Sequence, residues 1–436
     1  MTRQLLLGIP LALLLACADR PTAPNNAAST LSPTGVATLA NHGAVTAVTA
    51  SVTWEATAGT LVTAHSFAPI VATRVYGLLG IAQYGAAVAA GPSEDEDDDE
   101  GGENASPRAH YYVMRGAVAG ASAQVLSYLF QSPTDVAAIE SQVASEGNAG
   151  TPGIRLQFAR GVAIGRSIGD IVVLRGVADG FANADRTPKK WDPTTLPTGP
   201  TIWRMDADAT PHVPSGFQFP GMSPYFLTAT SQFRPPPPPA DLTPSVDSVI
   251  TIVNARTRAQ DSIAKFWNLA QPSVTALGYW DQQAASYISE YGLDERQAAH
   301  VFALVNAAGS DAILGCWEAK YYYLTLRPWM VAPIDLPKTK LDIGRPNHPS
   351  YPSGHSCVSS AAATVLEHFF PAKSTTLNQQ VAEAGISRIY AGIHYFVDIK
   401  QGQALGQSVA QWAIRYDSER GLLSAVFPRG ALRDQE

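Results

Sequence analysis

Charged residues are scarce in this chain: Asp, Glu, Lys and Arg make up 15% of its 436 residues, against about 25% in typical soluble domains. The formal net charge of −7 comes from 37 acidic and 30 basic residues. Eight of the acids lie together, in the run Glu94–Glu100 and at Glu103. Without them the chain is close to neutral, and no segment is rich in Lys and Arg. The composition therefore excludes the basic surface that nucleic-acid binding requires.

Cysteine is also rare, with three residues in the chain. One of them, Cys17, ends the sequence Leu14-Leu15-Ala16-Cys17, which follows Arg3 and the apolar stretch Leu5–Ala16. This arrangement resembles a bacterial lipobox, although a plain signal peptide with a chance cysteine is the alternative. We expect residues 1–17 to be a lipoprotein signal peptide, Cys17 the lipidation site and residues 18–35 a tether. The expected location is the bacterial cell envelope, lipid-anchored at the outer membrane or periplasmic face.

Long apolar runs are absent after this leader, because no later segment reaches about 18 uninterrupted apolar residues, and we predict no transmembrane helix. The other two cysteines, Cys316 and Cys357, would then lie in an oxidising compartment. They could form a disulfide there, but the sequence does not establish that they meet.

Strand patterns of period two hardly occur, whereas apolar residues recur at helical spacing. The sequence predicts a mainly α fold of two packed helical bundles, with the active site in the C-terminal one. Seven segments have a clear helical pattern: residues 66–91, 108–131, 155–178, 244–269, 294–327, 356–369 and 376–393.

Two interruptions define the predicted domain boundaries. The N-terminal helical half, residues 36–181, contains an acidic loop at 91–107, predicted to be solvated, with a calcium site as the alternative. A Pro/Gly-rich irregular segment follows at 182–242, and its aromatic residues favour packing over the helices. The C-terminal helical bundle spans residues 243–425.

The residues that carry chemistry lie in three blocks of the last third of the chain. In the first block, Lys320 and Arg327 are seven positions apart, so on one helix they would share a face. Pro328 is predicted to end that helix and to leave Arg327 at its terminus. Two cations without neighbouring acids suggest an anion site, although a solvated basic stripe has the same pattern.

The second block is Pro352-Ser353-Gly354-His355, directly before the helix-like segment 356–370. The Ser353 hydroxyl, the N–H groups around Gly354 and a helix N-terminus together could bind an oxyanion. His355 could exchange protons with that anion, or it could serve as an ordinary capping or packed residue.

The third block contains Arg388, His394 and Asp398. His394 and Asp398 are four apart and are predicted to share a helical face, where the carboxylate would hold the Nδ1–H of the imidazole. The His394 Nε2 would then act as a nucleophile or a metal ligand. Arg388 adds a third cation that can bind two oxygens at once.

Together the blocks read K-x6-R-P, P-S-G-H and S-R-x5-H-x3-D. This pattern resembles that of the superfamily that unites vanadium-dependent haloperoxidases, type 2 phosphatidic acid phosphatases and bacterial non-specific acid phosphatases. All its specified residues are present over about 311–405. The flanks, above all Trp317 and Tyr351, are more similar to the haloperoxidases.

Two positions depart from the chloroperoxidases of this superfamily. His348 stands where those enzymes have Phe and algal bromoperoxidases have His. In the chloroperoxidases, the arginine that corresponds to Arg388 pairs with an Asp just after Phe-Trp. In this chain Phe266-Trp267 is followed by Asn268. Arg388 is therefore expected to lack a carboxylate partner.

The resemblance implies vanadate as cofactor, with His394 as the vanadium ligand and His355 as general acid–base. Lys320 would polarise the peroxide, and Trp317 and His348 would form the halide pocket. The anion-binding residues it implies are Lys320, Arg327, Ser353, Gly354 and Arg388. Hydrogen peroxide would oxidise halide to hypohalous acid, which halogenates an organic acceptor. Membrane contact would be through the lipid anchor alone, and Ala/Gly-rich helical faces would suit a homo-oligomer.

Two alternatives stay open. In a soluble acid phosphatase, His394, oriented by Asp398, would attack phosphorus to form a phosphohistidine, and His355 would protonate the leaving alcohol. A catalytically silent surface lipoprotein would only bind phosphate or a partner. Pro214-Ser215-Gly216-Phe217 repeats the P-S-G element without its histidine, and we interpret it as a coincidence.

Overall fold

The computed structural model describes residues 48–91, 107–182, 197, 199–205, 213–331 and 343–427. Within these ranges the chain forms thirteen α-helices and no β-strand, so the predicted mainly α fold is confirmed. The helices are α1 Ala50–Ala64, α2 Pro69–Ala89, α3 Pro107–Leu129, α4 Pro133–Gly147, α5 Pro152–Ala178, α6 Thr243–Asn254, α7 Arg258–Phe266, α8 Thr275–Tyr291, α9 Glu295–Tyr323, α10 Pro328–Val331, α11 Gly354–Phe369, α12 Ser374–Tyr390 and α13 Phe396–Arg420.

Several predictions fall outside the described residues. These are the signal peptide at 1–17 with Cys17, the tether at 18–35 and nearly all of the acidic loop at 91–107. Parts of the irregular segment at 182–242 also lie outside them. Of the predicted C-terminal bundle, residues 243–425, all but residues 332–342 are described.

Two helices of the N-terminal half, α3 and α5, pack closely because glycines on each lie against the backbone of the other. Gly161 and Gly165 on α5 lie against the backbone of α3, where an added Cβ would stand 1.9 Å from Val113 O and from Ala117 O, respectively. At Gly116 on α3 a Cβ would stand 2.1 Å from Phe158 O. No larger residue fits at such distances, so this packing depends on the four-residue spacing of the glycines.

Helix α9 is the central helix of the fold and packs along both α2 and α11. Among the described residues it is the one helix that is long and apolar enough to cross a membrane, and 94% of its most apolar window is buried within the protein. That burial is typical of a core helix. Its C-terminal end carries Trp317 and Lys320 into the centre of the C-terminal bundle.

The irregular segment is fixed on α9 by the buried carboxylate of Asp311. Its oxygens accept the backbone N–H groups of Tyr225 and Phe226 at 2.7 and 2.8 Å, and that of Leu227 at 3.2 Å. Burial raises the pKa of Asp311 to about 6, against the effect of these three donors. Phe219 and Phe226 are buried against the helices, so the described part of this segment covers the bundle with its rings.

Candidate functional site

His394 and Asp398 meet as expected, but not on one helical face, so the predicted helical arrangement is wrong. His394 lies in the turn after α12, and Asp398 lies in the first turn of α13. The His394 Nδ1 is 2.8 Å from Asp398 Oδ2. Because the carboxylate accepts, Nδ1 carries the proton, and the lone pair of Nε2 faces Arg327 Nη1 at 3.1 Å. A ligand or an electrophile at Nε2 would take the place of that hydrogen bond.

The predicted single helix from Lys320 to Arg327 is also wrong. α9 ends at Tyr323, where Leu324 adopts a left-handed conformation with φ of 51°. Pro328 does not end α9 but begins the short helix α10. Both cations are nevertheless fully buried beside the same loop, residues 348–352.

Lys320 is directed at the backbone of that loop. Its Nζ donates to the carbonyls of Pro349, Ser350 and Pro352 at 2.9, 2.8 and 2.5 Å. Its three protons are thereby used, so in this arrangement Lys320 contributes positive charge and loop geometry. A direct bond to an anion would require Lys320 to release one of the three carbonyls.

Arg327 joins the loop to the histidine. Its Nη1 donates to Ile393 O at 2.6 Å and lies 3.1 Å from His394 Nε2. Its Nε donates to His348 O at 3.0 Å, and its Nη2 lies 3.2 Å from His348 Nδ1. The guanidinium therefore faces the nitrogen that sequence analysis assigned as ligand or nucleophile.

Arg388 has backbone and hydroxyl partners. Its Nη2 donates to Ala264 O at 2.7 Å and its Nε to Ser387 Oγ at 2.9 Å. Its described partners are these two oxygens, and no ion pair with a carboxylate is among them. Burial lowers its pKa to about 9.

The segment after Phe266-Trp267 orients His355 instead. Asn268 occupies the position that follows Phe-Trp, where the chloroperoxidases have Asp. Its backbone oxygen lies 3.2 Å from His355 Nε2. A carbonyl can only accept, so this bond places the proton on Nε2 and leaves Nδ1 as a proton acceptor.

Ser353 and Gly354 begin α11, as the sequence predicted. Ser353 is the N-cap residue, and its hydroxyl accepts the N–H of Ser356 at 3.4 Å. Helix N-termini favour anions because their first N–H groups lack partners within the helix. The start of α11 thus adds dipole charge to the same region as the three cations.

Ser350 is a site residue that sequence analysis missed. Its hydroxyl donates to Asp398 Oδ2 at 2.5 Å and lies 3.4 Å from His394 Nδ1. It is fully buried, and its position within the loop bound by Lys320 fixes it there. Only its proximity to P-S-G-H could have drawn attention to it in the sequence.

Trp317 and His348 form one wall of this site. Their ring centroids are 4.9 Å apart, and the Lys320 Nζ lies 5.6 Å from the Trp317 ring. A Cβ at Gly354 would stand 3.1 Å from Trp317 Cζ3, so the indole packs against the start of α11. The wall therefore contacts the cationic residues and the P-S-G-H element together.

The electrostatics of the site combine deep burial with concentrated positive charge. Burial, helped by Arg388 and Lys320, lowers the pKa of His355 to about 3. Burial and then Arg327 and Lys320 lower the pKa of His394 well below its ordinary range. Burial likewise lowers the pKa of Lys320 to about 8. Burial is the main cause of each shift, and the positive charges of Lys320, Arg327 and Arg388 add to the shifts of the two histidines. These three cations form the cage, whose charge a bound oxyanion would neutralise.

Cys316 and Cys357 lie buried beneath this cage as free thiols. The Cys316 Sγ is 3.7 Å from Pro352 O. The disulfide left open by the sequence is not formed in this structure.

Residues 298–422 match the sequence profile of the PAP2 superfamily. The acid phosphatase of Zymomonas mobilis is 28% identical over 130 residues, which are 28% of this chain and 48% of that protein. The non-specific acid phosphatase of Providencia stuartii is 29% identical over 110 residues, 25% of this chain and 44% of that protein. The chain thus spans less than half the length of these curated relatives.

Solved structures with a similar fold cover far more of the chain. A bacterial vanadium-dependent iodoperoxidase has a TM-score of 0.70 at 20% identity, over 86% of this chain and 98% of that one. A bacterial vanadium-dependent chloroperoxidase has a TM-score of 0.64 at 13% identity, over 82% and 94%. At these identities the likeness establishes the fold, which is the all-helical fold of both proteins.

Proposed function

We propose that this chain, through its PAP2 superfamily domain, is a vanadate-dependent haloperoxidase. It would use hydrogen peroxide to oxidise halide to hypohalous acid, which halogenates an organic acceptor. The observation that carries the proposal is the extent of the fold similarity to vanadium peroxidases, which includes the N-terminal half. The similarity to the acid phosphatase of Zymomonas mobilis covers 130 residues. The Trp317–His348 wall supports the same assignment.

The residues present fit vanadate. Three cations are buried in this region, and Lys320 and Arg327 act on the buried carboxylate of Asp398, whose Oδ2 already holds His394. Lys320, Arg327 and Arg388, with Ser353 and the Gly354 N–H, would hold the oxyanion, and His394 Nε2 would be its ligand. When bound, vanadate would supply an electrophilic centre at which hydrogen peroxide becomes reactive towards halide.

The protein's own groups would manage protons and orientation. Asp398 keeps the proton of His394 on Nδ1, so the lone pair of Nε2 points at the cage. His355, with Nε2 bonded to Asn268 O, would accept and return protons at Nδ1. A bound anion would offset the charges of Arg388 at His355 and of Arg327 at His394, which lower the pKa of these histidines. General acid–base help of this kind contributes roughly 10²–10⁴ in rate.

An acid phosphatase is the second candidate, supported by the names of the curated relatives. The same cage would bind a phosphate ester, His394 Nε2 would attack phosphorus, and His355 would protonate the leaving alcohol. Phosphate and vanadate are close in shape and charge, so the cage alone fits both.

One pair of assays separates the candidates. The purified full chain is supplied with orthovanadate, hydrogen peroxide and bromide, and in parallel with a chromogenic phosphate ester. Vanadate-dependent bromination supports the peroxidase, and ester cleavage that vanadate inhibits supports the phosphatase. His355→Ala should keep anion binding and lose about 10²–10⁴ of the rate, whereas His394→Ala should lose vanadate. Full bromide oxidation by His394→Ala would overturn the assignment.

We also propose that the mature protein is lipid-anchored at Cys17 in the cell envelope. The proposal depends on the lipobox-like sequence alone, because residues 1–47 lie outside the described residues.

A further inference from the structure

The turn at 213–217 contains the sequence Pro214–Phe217, which we interpreted as a coincidental repeat of P-S-G. It lies against the wall formed by Trp317 and His348. Its carbonyl at Ser215 accepts the indole N–H of Trp317 at 3.0 Å and the hydroxyl of Tyr321 at 2.6 Å. The two donors are one helical turn apart on α9. A single carbonyl of the turn therefore fixes the orientation of the indole.

The same turn is bonded to the segment that carries the other ring of the wall. The Ser215 N–H donates to Asn347 O at 2.8 Å. The Nδ2 of the Asn347 side chain donates in turn to Val213 O, also at 2.8 Å. Asn347 directly precedes His348, so the turn connects the backbone next to His348 with the indole of Trp317.

Gly216 permits the contact. Its φ is +69°, and an added Cβ would stand 2.4 Å from Trp317 Nε1 and 2.5 Å from Ile70 Cδ1. A side chain at this position would have to displace the indole or the turn. The backbone conformation and the close approach both require glycine.

We propose that the turn at 213–217 positions Trp317 against His348 and thereby determines which halide reaches the oxyanion held in the cage. The inference rests on the proposed function and specifies its substrate selection. Trp317 and His348 would contact the halide, whereas Ser215, Gly216 and Asn347 are positioning residues. Misplacement of about 1 Å at a reacting centre can cost on the order of 10²-fold in rate. Bromide is harder to oxidise than iodide, so bromide turnover should suffer more from a displaced wall.

The test uses two variants of the full chain and a matched control. Gly216→Ala places the Cβ against the indole, and Asn347→Ala loosens the turn from its other side without adding bulk. Gly292→Ala is the control, because Gly292 also has a positive φ, +64°, but has no described atom within 4 Å of its added Cβ. It carries the same backbone strain far from the cage.

Two readouts separate the inference from the proposed function. The first is the Trp317 indole N–H resonance in protein labelled with ¹⁵N-tryptophan, assigned with Trp317→Phe. It should shift in Gly216→Ala and Asn347→Ala and stay unchanged in Gly292→Ala. The second is the ratio of kcat/KM for iodide to that for bromide, which should rise roughly tenfold in both variants. Inorganic phosphate should bind within about threefold of the parent, because the cationic residues are untouched.

An unchanged halide ratio in folded variants whose indole resonance has shifted would overturn the inference while leaving the haloperoxidase intact. An unchanged resonance would overturn it as well. If the parent has no halide activity but cleaves phosphate esters, the proposed function fails, and the inference as stated for halide fails with it. If Gly216→Ala does not fold, Asn347→Ala decides.

Discussion

Single residues around His394 show how the site keeps its catalytic geometry. Ser350 helps the Tyr395 N–H to orient Asp398, because its hydroxyl donates to the same Oδ2 that holds His394. Burial raises the pKa of Asp398, and the Ser350 hydrogen bond acts in the opposite direction. Ser350 is thus a positioning residue, since it acts on the imidazole through the carboxylate.

Ser350→Ala should lower kcat about tenfold and change KM little, because the cage itself is retained. Loss of the donor raises the pKa of Asp398 further, so activity should fall at a higher pH than in the parent as the solution is acidified. The measurement is the pH profile of kcat in whichever assay the parent supports. Ser350→Thr keeps a hydroxyl and should restore most of the parent profile. An acid limb in Ser350→Ala that coincides with the parent's would contradict this role.

The motif residues were predictable from the sequence because their chemistry requires particular side chains at particular spacings. Their local structure was less predictable. His394 and Asp398 meet because a turn after α12 and the start of α13 converge, not because they share a helix. Ser350 and the turn at 213–217 act through single hydroxyl and backbone atoms. No residue type distinguishes such roles, so only the folded chain reveals them.

At the level of helices, apolar periodicity predicted eight of the described elements and missed five others, α1, α4, α8, α10 and α13. Half of the residues that α13 buries are glycine or alanine, for example Gly402 and Gly406. Small residues add little to an apolar pattern although they define a close-packed face. The predicted helix at 244–269 is divided because Thr257 starts α7 with a capping box. Capping chemistry competes with periodicity at such a boundary.

The α3–α5 pair gives a direct test of glycine packing. Gly165→Ala should lower the free energy of unfolding by at least about 2 kcal/mol, since overpacking typically costs 1–3 kcal/mol and the new Cβ would stand 1.9 Å from Ala117 O. The control is Gly153→Ala in the same helix, where no described atom lies within 4 Å of the Cβ. It should be neutral or stabilising by up to about 1 kcal/mol. Chemical denaturation measures the free energy of unfolding of both variants. Equal values would contradict a stabilising role of the close contact between α3 and α5.

Across the whole molecule, the nearly neutral composition conceals two opposite interior charge centres. The cage of Lys320, Arg327 and Arg388 is positive and would be neutralised by its anion. Glu55 on α1 and Asp281 on α8 form the negative centre, both fully or almost fully buried. The Asn306 Nδ2 on α9 lies 3.5 Å from Glu55 Oε1, and within the described residues the Asp281 oxygens have no hydrogen-bond partner.

Burial raises the pKa of Glu55 and of Asp281, and Asp281 raises that of Glu55 further. A carboxyl group whose pKa is higher in the folded state binds protons more tightly when folded, so its cost to stability grows as pH rises from about 4 through the folded pKa.

Glu55→Gln removes an ionisable member of the pair and keeps its shape. The variant should therefore melt higher than the parent at pH 8, by at least about 2 °C if one pKa unit, about 1.4 kcal/mol, is recovered, and the difference should shrink at pH 5. Glu140→Gln, a half-exposed carboxylate paired with Arg166, is the control and should change the melting temperature little at either pH. If Glu55→Gln is less stable than the parent at pH 8, the negative charge of the pair is compensated in the folded protein. A rise in the parent's melting temperature on adding calcium would then identify a cation as the compensating group.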